Sequence, residues 1–187
     1  YIKNSAEKAE QEKLEQEYHD PGKKKYLIAA LDELVDISEA VERNKSEFDF
    51  LQKRALGKGG KTFTAWFKEK YKPNDADLIS LVQKNITGCM DEEDLVFCHG
   101  DAHTDNVIEQ LHQPKWIDWE YAGFSIPQMD LAKFLKKTGI SKETEEEIVR
   151  HFCEKRSYKD YGRFSKAYHK TKILDCIVSA AKYRKLS

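Results

Sequence analysis

The sequence predicts a mainly α protein organised around a small β-hairpin element. Three observations point to that class. Apolar residues recur at helical spacing from Tyr26 onward and again after Asp130. The period changes at Leu95-Val96-Phe97-Cys98, a short apolar run that reads as a strand. The polar residues with chemical potential then crowd into one stretch, from His99 to Glu120. The 187 residues are enough for one domain with a sizeable core, and a charged fraction of 35% suits helices with heavily charged outer faces.

The elements follow in order. Residues 1–25 read as a charged helix or solvated arm, rich in Lys, Glu, Gln and Ala and broken at Asp20-Pro21-Gly22. Residues 26–94 read as helices. In the first, Leu27, Leu31, Leu34, Val35, Ile37 and Val41 keep a helical period, so it should pack on the core. A second is expected from Phe48 to about Leu56, stopped by Gly57, and a third from Thr62 to Tyr71 with Trp66 and Phe67 on its apolar side. A fourth should start at Pro73-Asn74-Asp75 and carry Leu78, Leu81, Val82 and Ile86. Residues 95–121 hold the strand, a polar loop and a hairpin. Its strands are Val107-Ile108-Glu109-Gln110 and Lys115-Trp116-Ile117, with the turn at Leu111 to Pro114. Residues 122–187 should be helical, with Ser141 as a cap and Glu143, Glu145 and Glu146 near the positive helix end. Later helices carry Ile148, Val149 and Phe152, then Ile173, Leu174, Ile177 and Val178.

Charge excludes some classes. Lys+Arg 32 against Asp+Glu 33 gives a net charge of -1, so no basic excess points to nucleic acid or an acidic membrane. No apolar run reaches the length of a membrane span. Cys89, Cys98, Cys153 and Cys176 are scattered without a C-x-x-C pair, which reads as reduced, mostly buried thiols in a cytoplasmic protein. The start, Tyr1-Ile2-Lys3-Asn4, has neither an initiator Met nor a signal pattern.

The decisive stretch is His99-Gly100-Asp101-Ala102-His103-Thr104-Asp105-Asn106, with Asp118 twelve residues further on. A loop leaving a strand can present a carboxylate to solvent while the scaffold fixes it. Phosphoryl transfer needs one carboxylate to align an attacking hydroxyl, and hard oxygen ligands for Mg²⁺. Asp101 alone would suit a hydrogen-bonded surface loop. Asp101, Asn106 and Asp118 together, flanked by apolar strands, favour chemistry.

His99-x-Asp101-x4-Asn106, then Ile117-Asp118-Trp119-Glu120-Tyr121-Ala122-Gly123, then Pro127-x2-Asp130-Leu131-Ala132, resembles the aminoglycoside phosphotransferase and choline kinase superfamily. These are small-molecule kinases with a protein-kinase-like fold. The resemblance implies that residues 1–187 form the C-terminal lobe of that α+β fold, with the N-terminal lobe absent from the chain. It implies Asp101 as catalytic base and His99 as a brace of the catalytic loop. It implies Asn106 and Asp118 as ligands of the Mg²⁺ ions that bridge the phosphates of ATP, and Asp130 as an acceptor of backbone hydrogen bonds. Glu120 is a candidate metal or substrate contact. Trp119 and Tyr121 are candidate aromatic faces for a quaternary ammonium, with Trp66 and Tyr71 from another element. The wording of residues 117–123 is most similar to bacterial choline kinase and thiamine kinase-like members, so an amino alcohol leads an aminoglycoside as acceptor.

A kinase of this kind needs a sheet, a phosphate-covering loop and a Lys in a strand. Nothing before Leu95 reads that way, and Tyr1-Ile2 resembles the hinge between lobes. The expected partners are therefore a small-molecule alcohol and an N-terminal lobe, from the same native chain or from another. The isolated lobe should bind ATP weakly or not at all. The competing reading is a non-catalytic binding or adaptor module, and a weaker one is a phosphate-ester hydrolase. Gly57-Lys58-Gly59-Gly60-Lys61-Thr62 resembles the end of a Walker A loop but lacks its first Gly and preceding strand, so it reads as a helix–helix connection. His99 and His103 have metal-binding spacing but no third soft ligand nearby.

Overall fold

The computed structural model describes residues 21–44, 79–80, 82 and 95–184. The elements expected over residues 3–19, 48–56 and 62–71 lie outside those residues, as do Tyr1-Ile2, the 57–62 stretch, Trp66, Tyr71 and Cys89. Of the fourth expected helix, Ile79, Ser80 and Val82 are described, and all three are helical.

Helix α1 spans Pro21–Arg43. The segment before the expected Asp20-Pro21-Gly22 break lies outside the described residues, and the core helix expected from Tyr26 already runs from Pro21. The physical reason is that the first helical residue needs no amide hydrogen and favours the φ that proline already has. Strand β1 covers Val96–Cys98, β2 Val107–Gln110, β3 Gln113–Trp116 and β4 Gly123–Ser125. Helices α2 (Pro127–Leu135), α3 (Lys142–Lys155) and α4 (Tyr161–Arg184) complete the described order. The described residues are thus mostly helical with two small antiparallel sheets, β1–β4 and β2–β3.

One face of α1 is buried at Leu27, Ala30, Leu31, Leu34 and Val35. It meets Ile148, Val149 and Phe152 of α3, Phe164 and Tyr168 of α4, and Leu131, Phe134 and Leu135 of α2 in one core. Trp116 joins this core and donates its indole N–H to the Ala30 carbonyl at 2.7 Å. On the outside, α1 and α3 are linked by Asp32–His151 at 2.8 Å and Asp36–Lys155 at 2.7 Å. Ser141 caps α3, its Oγ accepting from the Thr144 amide at 3.1 Å.

The hairpin is tighter than expected. Glu109 pairs with Pro114 and Gln110 with Gln113, so only Leu111 and His112 form the turn. Both have positive φ, 52° and 63°, the turn geometry that matches the right-handed twist of paired strands. Ile117 falls just outside β3, although its amide donates to the Asn106 carbonyl at 3.0 Å. Residues 122–187 are not helical throughout, because β4 pairs antiparallel with β1, Phe97 opposite Phe124. A three-residue strand carries too little periodicity to be read before its partner is known.

β1 matters most because it delivers the polar loop. Ser38 and Glu42, one turn apart on α1, hold both polar groups of Phe97. Ser38 Oγ donates to its carbonyl at 2.5 Å, and Glu42 Oε1 accepts from its amide at 3.1 Å. Arg156 lies 3.5 Å from Glu42 with its side chain 5% exposed, so a buried guanidinium backs this anchor.

Candidate active site

The loop after β1 is tied down residue by residue. His99 is fully buried. Its Nε2 lies 2.8 Å from the Ile117 carbonyl, and its Nδ1 accepts from the Asp101 amide at 3.4 Å. A ring protonated at Nε2 satisfies both contacts. The imidazole packs against Trp116 and Trp119, with ring centres 5.1 and 4.6 Å away. His99 therefore braces the loop against the end of the hairpin. With both ring nitrogens engaged by backbone, it offers no zinc ligand.

Gly100 follows at φ +82°, where a Cβ would stand 2.2 Å from the Tyr121 carbonyl oxygen. No other residue fits there, because a side chain meets backbone on one side and strain on the other. Asp130, buried on α2, takes both neighbouring amides: its Oδ2 accepts from His99 at 2.6 Å and its Oδ1 from Gly100 at 3.0 Å. Burial pushes the Asp130 carboxyl up from its ordinary range, while the Lys133 charge and these N–H groups pull it back.

Asp101 has its side chain 40% exposed. Lys133 Nζ lies 3.5 Å from its Oδ1 and His103 Nε2 3.5 Å from its Oδ2. Its backbone carbonyl accepts from Asn106 Nδ2 at 3.0 Å. That bond uses the nitrogen of a buried carboxamide and leaves its oxygen as the atom a cation could take. Asp118 stands just past the hairpin, exposed, with φ 62° and ψ 59°. This left-handed conformation is uncommon outside glycine, although Asp adopts it more readily than most residues. The backbone bond between Asn106 and Ile117 brings the two candidate ligands to adjacent strand ends. A carboxamide oxygen and a carboxylate are the hard donors that Mg²⁺ accepts alongside phosphate and water, so these residues fit that ion. Among the described residues no three His, Cys, Asp or Glu side chains form a metal-binding group by themselves.

The turn Trp119–Tyr121 closes the site. Trp119 stacks on Phe97, with ring centres 5.8 Å apart and planes 12° from parallel, and donates to the Trp116 carbonyl at 3.1 Å. Its ring is engaged in packing. Tyr121 is half exposed. Its phenol is raised above its ordinary range, first by a hydrogen bond to Glu120 and that carboxylate's charge, then by burial and by Asp101 and Asp118. Three carboxylates thus act on one exposed phenol, and the mouth of the site is acidic.

Three features escaped the sequence reading. Lys133 sits beside Asp101; only its place three residues after Asp130 on a helix could have suggested it. Gly100 packs under Tyr121. Ile108 and Ile117, two residues beyond Asn106 and opposite it, are 44% and 39% exposed. Of the cysteines, Cys98 and Cys153 are buried free thiols and Cys176 is an exposed one. Burial, then the charge of Asp130, pushes the Cys98 thiol well above its usual range, so it packs rather than reacts.

A sequence model described as "Phosphotransferase enzyme family" matches residues 7–168. Protein LicA from Haemophilus influenzae is 29% identical over 76 residues, covering 41% of this chain and 28% of LicA. A second Protein LicA from that organism is 29% identical over 76 residues, covering 22% of its length. The chain thus spans about a quarter of the length of these curated relatives. A crystal structure of a choline/ethanolamine kinase family protein from Mesorhizobium loti aligns over 91% of this chain and 70% of that one, with 14% identity and a TM-score of 0.44.

Proposed function

We infer the activity from the site and its family together: the chain belongs to the phosphotransferase enzyme family. The proposed reaction moves the γ-phosphoryl group of ATP to a hydroxyl of a small molecule. A choline- or amino-alcohol-like acceptor is favoured over an aminoglycoside. The residues described here act as the C-terminal lobe. The nucleotide-covering sheet and its Lys come from an N-terminal lobe outside them, in the same native chain or in a partner.

One observation carries the reading. Asp101 presents an accessible carboxylate on a loop whose backbone is held at His99, Gly100 and Asp101 itself. That is the geometry for aligning a nucleophile, and positioning supplies most of the rate in phosphoryl transfer. The acceptor oxygen attacks the γ-phosphorus. A new P–O bond forms as the bond to the β,γ-bridging oxygen breaks, ADP leaves with that electron pair, and the hydroxyl proton passes to Asp101. His99 and Asp130 keep the loop in place during the reaction. Asn106 and Asp118 would hold Mg²⁺, which when bound neutralises charge on the phosphate oxygens.

Two surfaces support the choice of substrates. Ile108 and Ile117 expose apolar area beside Asn106, suited to the flat face of a nucleobase. Asp101, Asp118 and Glu120 surround Tyr121 with negative charge, which favours an acceptor that carries a cation near its hydroxyl. We place the reaction in the cytoplasm, where ATP is abundant and free thiols persist. Among the described residues no helix is long and apolar enough to cross a membrane.

The test is turnover of Mg²⁺·ATP by the native protein that contains this chain, against a panel of amino alcohols and aminoglycosides. Asp101→Asn should lower kcat by about 10²–10⁴-fold with little change in folding. If no alcohol is phosphorylated, or if D101N remains fully active, the reading is wrong.

A further inference from the structure

Asp130 and Lys133 lie three residues apart on α2, and therefore on one face of the helix. Asp130 takes the amides of His99 and Gly100. Lys133 takes what Asp130 cannot: its Nζ donates to the Gly100 carbonyl at 2.5 Å and lies 3.5 Å from Asp101 Oδ1. A carboxylate can only accept and an ammonium can only donate. One helical turn thus supplies both kinds of partner to three backbone groups of His99 and Gly100, the glycine held at φ +82°. We propose that Lys133 is a positioning residue of the phosphoryl-transfer site, orienting Asp101 from α2 by clamping the Gly100 carbonyl and one oxygen of the Asp101 carboxylate.

The assignment rests on the kinase reading above. Its physical basis is the setting of the ammonium. The Lys133 side chain is 28% exposed, so its contacts are less screened than those of a surface pair. Loss of the ammonium releases a backbone carbonyl and a carboxylate oxygen together. Lys133 reaches Gly100 and Asp101 rather than the residues assigned to the nucleotide and its metal, so nucleotide binding should survive its removal. The same charge opposes the burial that raises the Asp130 carboxyl. His103 flanks the other Asp101 oxygen from within the loop itself, whereas among the described residues Lys133 alone ties the carboxylate to a helix.

The experiment compares Lys133→Met, Lys133→Arg and the unaltered native protein. Met keeps the apolar stem and Arg keeps the charge and a donor. Without nucleotide, K133M should speed hydrogen exchange of the Gly100 amide about tenfold relative to amides of β2 and β3, and K133R should restore it. With Mg²⁺·ATP and the best acceptor, K133M should lower kcat about 10–100-fold and leave KM for ATP within about twofold, with most of the loss recovered in K133R. Melting temperature checks folding, and Lys133→Gln repeats both measurements if K133M unfolds. Unchanged exchange and kcat in K133M would overturn the proposal. So would a loss confined to KM, or a K133R as damaged as K133M. If the unaltered protein phosphorylates nothing, the kinase reading fails, and the exchange measurement alone decides the clamp.

Discussion

The two sides of the site are held in opposite ways. On the Asp101 side, residues 99–106 are engaged by helix, hairpin and each other: His99 is fully buried, Asn106 nearly so, and Asp130 accepts two amides from below. On the Asp118 side, Asp118, Glu120 and Tyr121 are exposed, and Trp119 is the anchor of the turn. The strain also falls on that side, at the left-handed Asp118. The difference matches the two tasks proposed for these residues, a base at Asp101 and a metal ligand at Asp118. A base must be oriented before the substrate arrives, because reorientation during the reaction would cost rate. A metal ligand gains its partner only on binding, so it can wait exposed and strained. The sides touch at Gly100, through the Tyr121 carbonyl, and at His99, through the Trp119 ring and the Ile117 carbonyl.

Substitutions can break or sharpen this contrast. The largest effect is expected at Gly100→Ala, which meets both the positive φ and the Tyr121 backbone. It should destabilise by about 3 kcal/mol or more and loosen both sides together, measured by urea unfolding. A G100A protein of normal stability would show that the two sides are not joined there. Asp130→Ala comes next. It leaves two buried amides without acceptors, at about 1–3 kcal/mol each, and its damage should stay on the Asp101 side. Hydrogen exchange should rise at residues 99–101 and remain unchanged at β2 and β3. The smallest change in stability is expected at Asp118→Gly. Glycine accepts the left-handed conformation, so unfolding should stay within about 1 kcal/mol of the parent. Mg²⁺-dependent turnover should nevertheless collapse. A D118G variant that unfolds readily would mean that Asp118 serves the fold and not the metal.

Much of this arrangement was legible before any coordinates. The apolar period of α1 located its buried face, because five of its apolar residues line the core at the spacing of a helix. The polar cap at Ser141 and the short apolar run at Val96–Cys98 were visible for equally local reasons. The order His99, Asp101, Asn106, Asp118, Asp130 marked the loop, the hairpin end and the helix that meet at the site. The helices expected between residues 45 and 78 fall outside the described residues and add nothing to this balance.

What escaped the sequence was long-range. β4 is three residues long and exists only because β1 lies beside it. The turn at Leu111-His112 carries no glycine, and pairing of the flanking strands imposed its positive φ values. Lys133 reads as one more lysine on a charged helix until α2 packs under the loop and places its ammonium on Gly100, 33 residues earlier. Gly100 reads as a spacer until the Tyr121 turn closes over it. The sequence by itself determined which side chains are candidates for chemistry and which local element bears each one, since periodicity, caps and motif order act over a few residues. Only the tertiary structure decided which groups hold Asp101 in place, because those contacts join segments about thirty residues apart through directional hydrogen bonds that no local pattern encodes.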